Sequence, residues 1–395
     1  MQSAVPVVLV EGNLNNLGVV RSLSRGRMPI FVLTTTRNCA AGWSRFSTVV
    51  PIKALEGDAL IDSLIALAKK LGNRPVLILG GEQSVETVST HRDRVGPFYR
   101  LNLPSTDMVR TLNDKTSFQM LAEREGFPVP RATAVNNKTD LQMVRKLVPP
   151  LIIKPADKTL VLRGLVERVV RADTLAQAEL CISRMLASSP QVIVQEWIDG
   201  PDSDIFFTLF SCDAQGNMIA NFTGRKLVCD PPEIGNTAIC MPAPEVASEL
   251  QKLTVDFCAR VQFRGLGSLE FKRDSRTGRF IIIEPTVGRT DYQEEIATLC
   301  GVNLPLLTYR AELNQPAGSA GERHRTLAWR SSMGHRKPPG SMLRGIRVVD
   351  GYFRWSDPLP AIYYYGVERC IRRIWGRAAR YYRNFTTVQR GTAHG

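Results

Sequence analysis

Two glutamates, Glu270 and Glu284, sit in two short β-prone runs separated by a turn. The first run reads Ser-Leu-Glu-Phe-Lys-Arg-Asp over 268–274, the second Gly-Arg-Phe-Ile-Ile-Ile-Glu over 278–284. Ser275, Arg276, Thr277 and Gly278 supply turn chemistry between them. A hairpin centred on Thr277 sets Glu270 opposite Glu284, with Cβ atoms roughly 5 Å apart. Two carboxylates that close repel unless a cation lies between them, and oxygen ligands of this kind suit Mg²⁺ carrying a nucleotide phosphate. Arg289 follows five residues after Glu284, a planar donor placed to meet an anion. The competing reading is a solvent-facing hairpin with incidental acids, because exposed glutamate is common on strands.

The upstream sequence supplies elements that can position such a pair. Apolar runs over 5–10, 29–33 and 74–79 alternate with helical stretches from Val19 and over 58–71. That alternation indicates a parallel, doubly wound α/β unit over residues 1–105. The loop 12–18 lacks GxGxxG spacing, so its glycines read as a fold-supporting turn rather than a dinucleotide site. Lys115 opens an amphipathic helix with Phe118, Leu121 and Ala122 on one face, ended by Gly126. Beyond a further helix, Pro149 and Pro150 lead into an apolar strand over 151–155 interrupted by Lys154. An unpaired buried ammonium is costly, so Lys154 needs either a bound anion or an internal carboxylate. A strand from 191 turns polar over 195–202 and restarts over 204–210. Then come 221–227 with Arg225 and Lys226, a helix over 243–262, and the glutamate hairpin.

At 395 residues and 44% apolar content the chain suits two or three domains. Eight cysteines stand without a CxxC pair or a Cys/His cluster, which argues against zinc and a disulfide framework. With no charged leader and no run near ~18 apolar residues, the expectation is a soluble, cytoplasmic protein in a reducing compartment. The net charge of +14 is unevenly distributed: residues 321–395 carry fourteen Arg and one Lys against four acids, leaving +3 for the rest.

In order, Lys115, Lys154, the hinge at 195–202, Arg225-Lys226, Glu270, Glu284 and Arg289 resemble the ATP-grasp superfamily. The closest resemblance is to its carboxylate–amine ligase branch, which includes D-aspartate-ligase-like enzymes. Ile-Glu-Pro-Thr-Val-Gly-Arg-Thr-Asp-Tyr-Gln-Glu over 283–294 looks like a signature of one such group. Asn-Asp-Lys-Thr-Ser-Phe over 113–118 and Gly-Phe-Pro-Val-Pro over 126–130 match the usual region of the first lysine. The resemblance covers about residues 5–310. It implies an α/β and α+β architecture: a pre-ATP-grasp domain over 1–105, a first lobe over 106–194, a second lobe over 195–312, and an Arg-rich extension over 313–395.

The resemblance also implies ATP and Mg²⁺, with a small carboxylate and an amine as substrates. Lys115 and Lys154 would meet the α- and β-phosphates. Glu196 and the Ile198 backbone would meet the adenine edge, and Asp202 (or Asp204) the ribose hydroxyls. Glu270, Glu284 and Thr286 would hold the metal, and Arg225 and Arg289 the γ-phosphoryl group and the substrate carboxylate. The implied reaction is attack of a carboxylate on the γ-phosphorus, then displacement of phosphate from the acyl phosphate by an amine. A lid over 155–170 would exclude water. Two departures stand out. Thr286 occupies the place where many relatives have Asn, leaving Asp291 as a helper. The stretch 155–164 lacks a glycine-rich phosphate loop, leaving Lys158 and Arg163 for that contact.

Blander readings compete at each position. Lys115 reads as a first-turn surface lysine, Arg225-Lys226 as an edge-strand charge pair, and Glu196 and Asp202 as polar loop residues. A second functional class therefore stays open: a nucleotide-binding module without catalysis whose basic tail is the working surface. Over 361–385, Val367, Ile371, Ile374, Ala378, Tyr381 and Phe385 recur at helical spacing among arginines. Such a helix either docks on the body or lies peripherally at the inner face of a membrane. Nucleic acid ranks last, since no recognised module accompanies the arginines. Neither the substrates' identity nor the oligomeric state is legible.

Overall fold

The computed structural model describes residues 4–156, 169–233, 235–316, 326–332 and 342–368. Three sheets carry the chain. The first comprises β1 (Val7–Val10), β2 (Ile30–Thr34), β3 (Thr48–Pro51) and β4 (Val76–Leu79), all parallel, in the order β3-β2-β1-β4. β1 and β4 are wholly apolar and buried, as parallel strands covered on both faces must be. The sequence reading finds this unit but misses β3, a short edge strand with exposed ends and a proline at its last position. It also mistakes the loop after β1. The helix Leu14–Ser24 begins there, with Asn13 accepting from the Asn16 backbone as its cap. Gly18 lies inside that helix, where a Cβ would sit 3.0 Å from Glu295 Cβ. This glycine permits a close helix approach instead of making a turn.

The second sheet is antiparallel: β5 (Ala132–Val135), β6 (Leu151–Pro155), β7 (Val170–Ala172) and β8 (Val192–Glu196), ordered β5-β8-β6-β7. The helix Leu175–Leu186 covers it, burying Ile182 against Leu151, Ile153 and Val194 in one cluster. Two helices, Thr106–Asn113 and Lys115–Glu125, precede this lobe. The second ends as expected at Gly126, which takes the left-handed conformation, φ 67°, that a helix C-terminus favours.

The third sheet has seven strands: β9 (Ile205–Cys212), β10 (Met218–Asp230), β11 (Asn236–Pro242), β12 (Gly265–Arg273), β13 (Phe280–Val287), β14 (Leu327–Arg330) and β15 (Arg347–Asp350). Their order is β13-β12-β9-β10-β11-β14-β15. Both faces are buried. Phe206, Phe210 and Phe271 join Phe257 of the helix Ala247–Arg260 on one side. Phe207, Leu209 and Phe222 join Leu304 and Leu307 of the helix Leu304–Glu312 on the other.

β14 and β15 belong to the stretch that reads in sequence as a basic extension, yet they complete the same sheet. The chain then returns to the first unit. Asp357 is 0% exposed and accepts from Arg21 Nε at 3.0 Å, Ser44 Oγ at 2.9 Å and the Arg45 amide at 2.9 Å. Arg21 also donates to the carbonyls of Gly351 and Tyr352 at 2.7 and 2.6 Å. Most of the expected lid, with Lys158 and Arg163, and the arginine-rich helix beyond Glu368 lie outside the described residues. Among the described residues no helix is long and apolar enough to cross a membrane.

The Arg21–Asp357 pair yields a stability prediction. Asp357→Ala leaves the buried Arg21 guanidinium with the more distant Glu295 carboxylate, at 3.6 Å, in place of its 3.0 Å partner, and should cost about 3 kcal/mol in denaturant unfolding. Arg21→Met combined with Asp357→Leu should lose clearly less than the sum of the single changes. Additive losses would contradict the coupling.

Candidate active site

β12 and β13 pair with Glu270 directly across from Glu284, as the hairpin reading requires. The register reaches that pairing through a bulge. Toward the turn the partners are Phe271 with Ile282 and Lys272 with Ile281, which leaves Ile283 as the extra residue. Without it Glu270 would face Ile283, and Glu284 would turn to the opposite sheet face.

A cation already stands beside the pair. Lys226 of β10, only 4% exposed, puts Nζ 2.5 Å from Glu270 Oε2. Burial weighs against its charge. The adjacent Glu270 carboxylate, with Cys229 and Asp291 further off, more than offsets that and raises its pKa. Strand alternation sends Arg225 to the other face. There it lies 4.7 Å from the Phe206 ring centroid, donates to the Ser203 carbonyl at 3.1 Å and pairs with Glu245 at 3.4 Å. Of the two adjacent bases, then, Lys226 and not Arg225 joins the carboxylates.

The smaller lobe contributes the opposite wall. A cleft lined by Asn113, Lys115, Lys154, Gln195 and Glu284 brings together three residues singled out from sequence. Lys115 is the first residue of its helix, capped by Asp114, so the helix's positive end also lies at the cleft. Lys154 Nζ donates to Gln195 Oε1 at 3.1 Å, an amide where the sequence reading offers an anion or a carboxylate. Gln195 in turn donates to Gln119 Oε1 at 3.2 Å, and Gln119 donates to the Pro130 carbonyl at 2.9 Å. This relay ties the β8 end to the Lys115 helix.

The hinge residues have more structural duties than expected. Glu196 accepts from Arg131 Nη1 at 3.2 Å and the Val148 amide at 3.0 Å. The Trp197 amide donates to the Pro150 carbonyl at 2.9 Å, and Ile198 follows in the connecting loop. Both Asp202 oxygens accept backbone amides, from Cys229 at 2.8 Å and Glu233 at 2.7 Å. Asp204 pairs with Arg273 at 2.8 Å. The acids expected at the ribose thus brace the loop beside β10, because a turning backbone leaves amides that a nearby carboxylate satisfies.

Thr286 lies across from Ser268, two residues past Glu284. Asp291 accepts from the Tyr292 amide at 2.8 Å and from Gln293 Nε2 at 3.0 Å. Arg289 is bridged to Leu79 at the end of β4 and paired with Glu82 at 3.1 Å. Glu11, after β1, shares this corner. Burial raises its pKa, with Arg289 and Asn13 opposing. Parallel sheets bind ligands at such strand ends, where the order reverses between β1 and β4. Glu294, which closes the signature stretch, is fully buried and accepts from Ser22 Oγ at 3.3 Å. Burial, with Glu295 adding to it, pushes its carboxyl up to about 8.

Among the described residues no third His, Cys, Asp or Glu gathers to make a complete protein cage for a metal. Two carboxylates alone fit Mg²⁺, which keeps waters and takes phosphate oxygens for the rest of its shell. Sequence reasoning undervalued Lys226, Gln195 and Lys272. The signal for the first lay in the two-residue period of β10, which must send adjacent residues to opposite faces.

Comparison with known proteins agrees with this arrangement. A family model for the carbamoyl-phosphate synthase L chain ATP-binding domain matches residues 114–304. A D-aspartate ligase from Enterococcus faecium is 22% identical over 318 residues, which cover 75% of this chain and 74% of that protein. An N5-carboxyaminoimidazole ribonucleotide synthetase solved with ADP superposes with a TM-score of 0.65 at 12% identity, covering 83% of this chain and 81% of that one. An L-amino acid ligase from Bacillus licheniformis gives 0.59 at 14% identity, covering 83% and 80%. With its parallel N-terminal unit, two largely antiparallel lobes and paired carboxylates, the chain is similar to ATP-grasp carboxylate–amine ligases, and its residues 114–304 match an ATP-binding domain of that kind.

Proposed function

We propose that this chain joins a carboxylate to an amine through an acyl phosphate, converting ATP to ADP and phosphate. The observation that carries this reading is the meeting of Lys115, Lys154 and Glu284 in one cleft, with Glu270 and Lys226 beside them. Lys115 and Lys154 supply compact charges for the nucleotide's α- and β-phosphates. Glu270 and Glu284, with Thr286 adjoining, would hold Mg²⁺, whose chemistry when bound is to offset charge on phosphate oxygens. Lys226 is held protonated where charge on the transferring phosphoryl group needs a partner. Arg289, at the strand ends of the first unit, suits a substrate carboxylate. The Glu196 and Ile198 backbone borders the place for the base.

In the first step a carboxylate oxygen bonds to the γ-phosphorus as the bond to ADP breaks. In the second the amine nitrogen attacks the acyl carbon, loses a proton, and phosphate leaves. The protein supplies positioning and fixed charge. The kinship with a D-aspartate ligase supports an amino-acid carboxylate as a first substrate to try.

Two experiments test the reading. Lys154→Ala and Glu284→Ala should each weaken Mg²⁺-dependent ATP binding at least ~10-fold with little change in unfolding midpoint, since each removes a charge-assisted contact. Wild-type affinity in both variants would contradict it. Phosphate release with pooled amino-acid carboxylates and amines should fall by about 10²-fold or more for Lys226→Met, the scale for removing one charge-stabilising donor. Arg225→Ala should lose much less. The reverse ranking would return Arg225 to the site.

A further inference from the structure

Lys272 is a lysine that the proposed reaction does not use, yet it stands on the reacting face. Across β12 and β9 it pairs with Ile205, while Glu270 pairs with Phe207, so both side chains leave the same side of the strand. Lys272 is 5% exposed, and its Nζ has no hydrogen-bond partner among the described residues. It lies 4.1 Å from the ring centroid of Trp197 at the hinge. The guanidinium of Arg171, from the smaller lobe, lies 4.8 Å from the same ring.

Acids surround Lys272, but each has another partner. Asp202 accepts the amides of Cys229 and Glu233. Glu233 pairs with Arg171 at 3.3 Å, and Asp199 accepts from Ser275 Oγ at 3.0 Å. The acids' field favours the ammonium without supplying it an acceptor. Burying such a group unpaired is costly, and methionine or leucine would fill the same space without that cost. A ligand bearing acceptor atoms resolves the mismatch.

The position says which ligand. Lys272 lies two positions along β12 from Glu270, roughly 6.6 Å toward the hinge. A nucleotide with phosphates at Glu270 and Glu284 and its base at Glu196–Ile198 must cross that interval. We propose that Lys272 is a nucleotide-binding residue whose Nζ donates to acceptor atoms between the base and the α-phosphate, with Trp197 as the adjoining apolar wall. This inference rests on the ATP-binding reading of the same cleft and adds a residue that fixes how the nucleoside end is held.

The test uses the full chain and Mg-ATP itself. Affinity is measured for the wild type, Lys272→Met and Lys272→Gln, together with unfolding midpoints without nucleotide. The expected result for Lys272→Met is an affinity loss of at least ~10-fold with a nucleotide-free midpoint equal to or above that of the wild type. Lys272→Gln, which keeps donor hydrogens, should lose less. A lysine with a purely structural role gives the opposite pattern, a lowered midpoint with affinity intact. That pattern, failure of either variant to fold, or wild-type affinity in both overturns the proposal. If Glu284→Ala abolishes binding while Lys272→Met does not, this inference alone falls. If the wild type does not bind Mg-ATP, the parent reading falls with it.

Discussion

Like charges on directly opposed strand positions are unstable alone, and this structure sets Glu270 against Glu284. The arrangement persists because cations are supplied from elsewhere in the fold. Lys226 reaches Glu270 from two strands away, and its own burial is tolerable only because that carboxylate is there. Glu284 instead faces the lysines of the other lobe across the cleft. The two acids are thus members of different charge clusters, joined by one bulge that keeps them on a common face. A polyanion carrying a divalent cation, as proposed above, would complete both clusters.

Such a site needs a rigid support, and the large sheet provides it. Its two faces are filled with phenylalanines and helices, so that β12 and β13 have little freedom to slip. The same cores continue into the parallel N-terminal unit, which fixes Arg289 near the ends of β1 and β4. The Arg21–Asp357 contact then locks a late segment onto an early helix. The smaller lobe has its own core and meets the rest through the hinge, where the glutamine relay from Lys154 to Gln119 runs. Movement of one lobe over the other would therefore preserve each half of the charge pattern while changing the distance between them.

Much of this was legible in the residues. The apolar runs of β1, β2 and β4, the capped helix at Lys115 and the opposed glutamates follow from local rules, because each is set by a short pattern. What escaped depends on tertiary context. β3, β14 and β15 are short strands whose pairing comes from neighbours. Gly18 looked like a turn residue because its reason, the approach of Glu295, lies far along the chain. Asp202 and Asp204 looked available because hydrogen bonds to distant backbone amides and to Arg273 have no local signature. Arg225 and Lys226 were separable in principle by strand period, and the structure separates them.

The central claim is that Glu270 and Glu284 share one cation with a nucleotide's terminal phosphates between the two lobes. The most direct measurement is a crystal structure with Mn²⁺ and a non-hydrolysable ATP analogue, locating the metal by its anomalous signal. The account predicts one metal peak contacted by both carboxylates and by phosphate oxygens, with Lys115 and Lys154 on the remaining phosphates. A nucleotide bound outside this cleft, or a metal that touches neither glutamate, would contradict it.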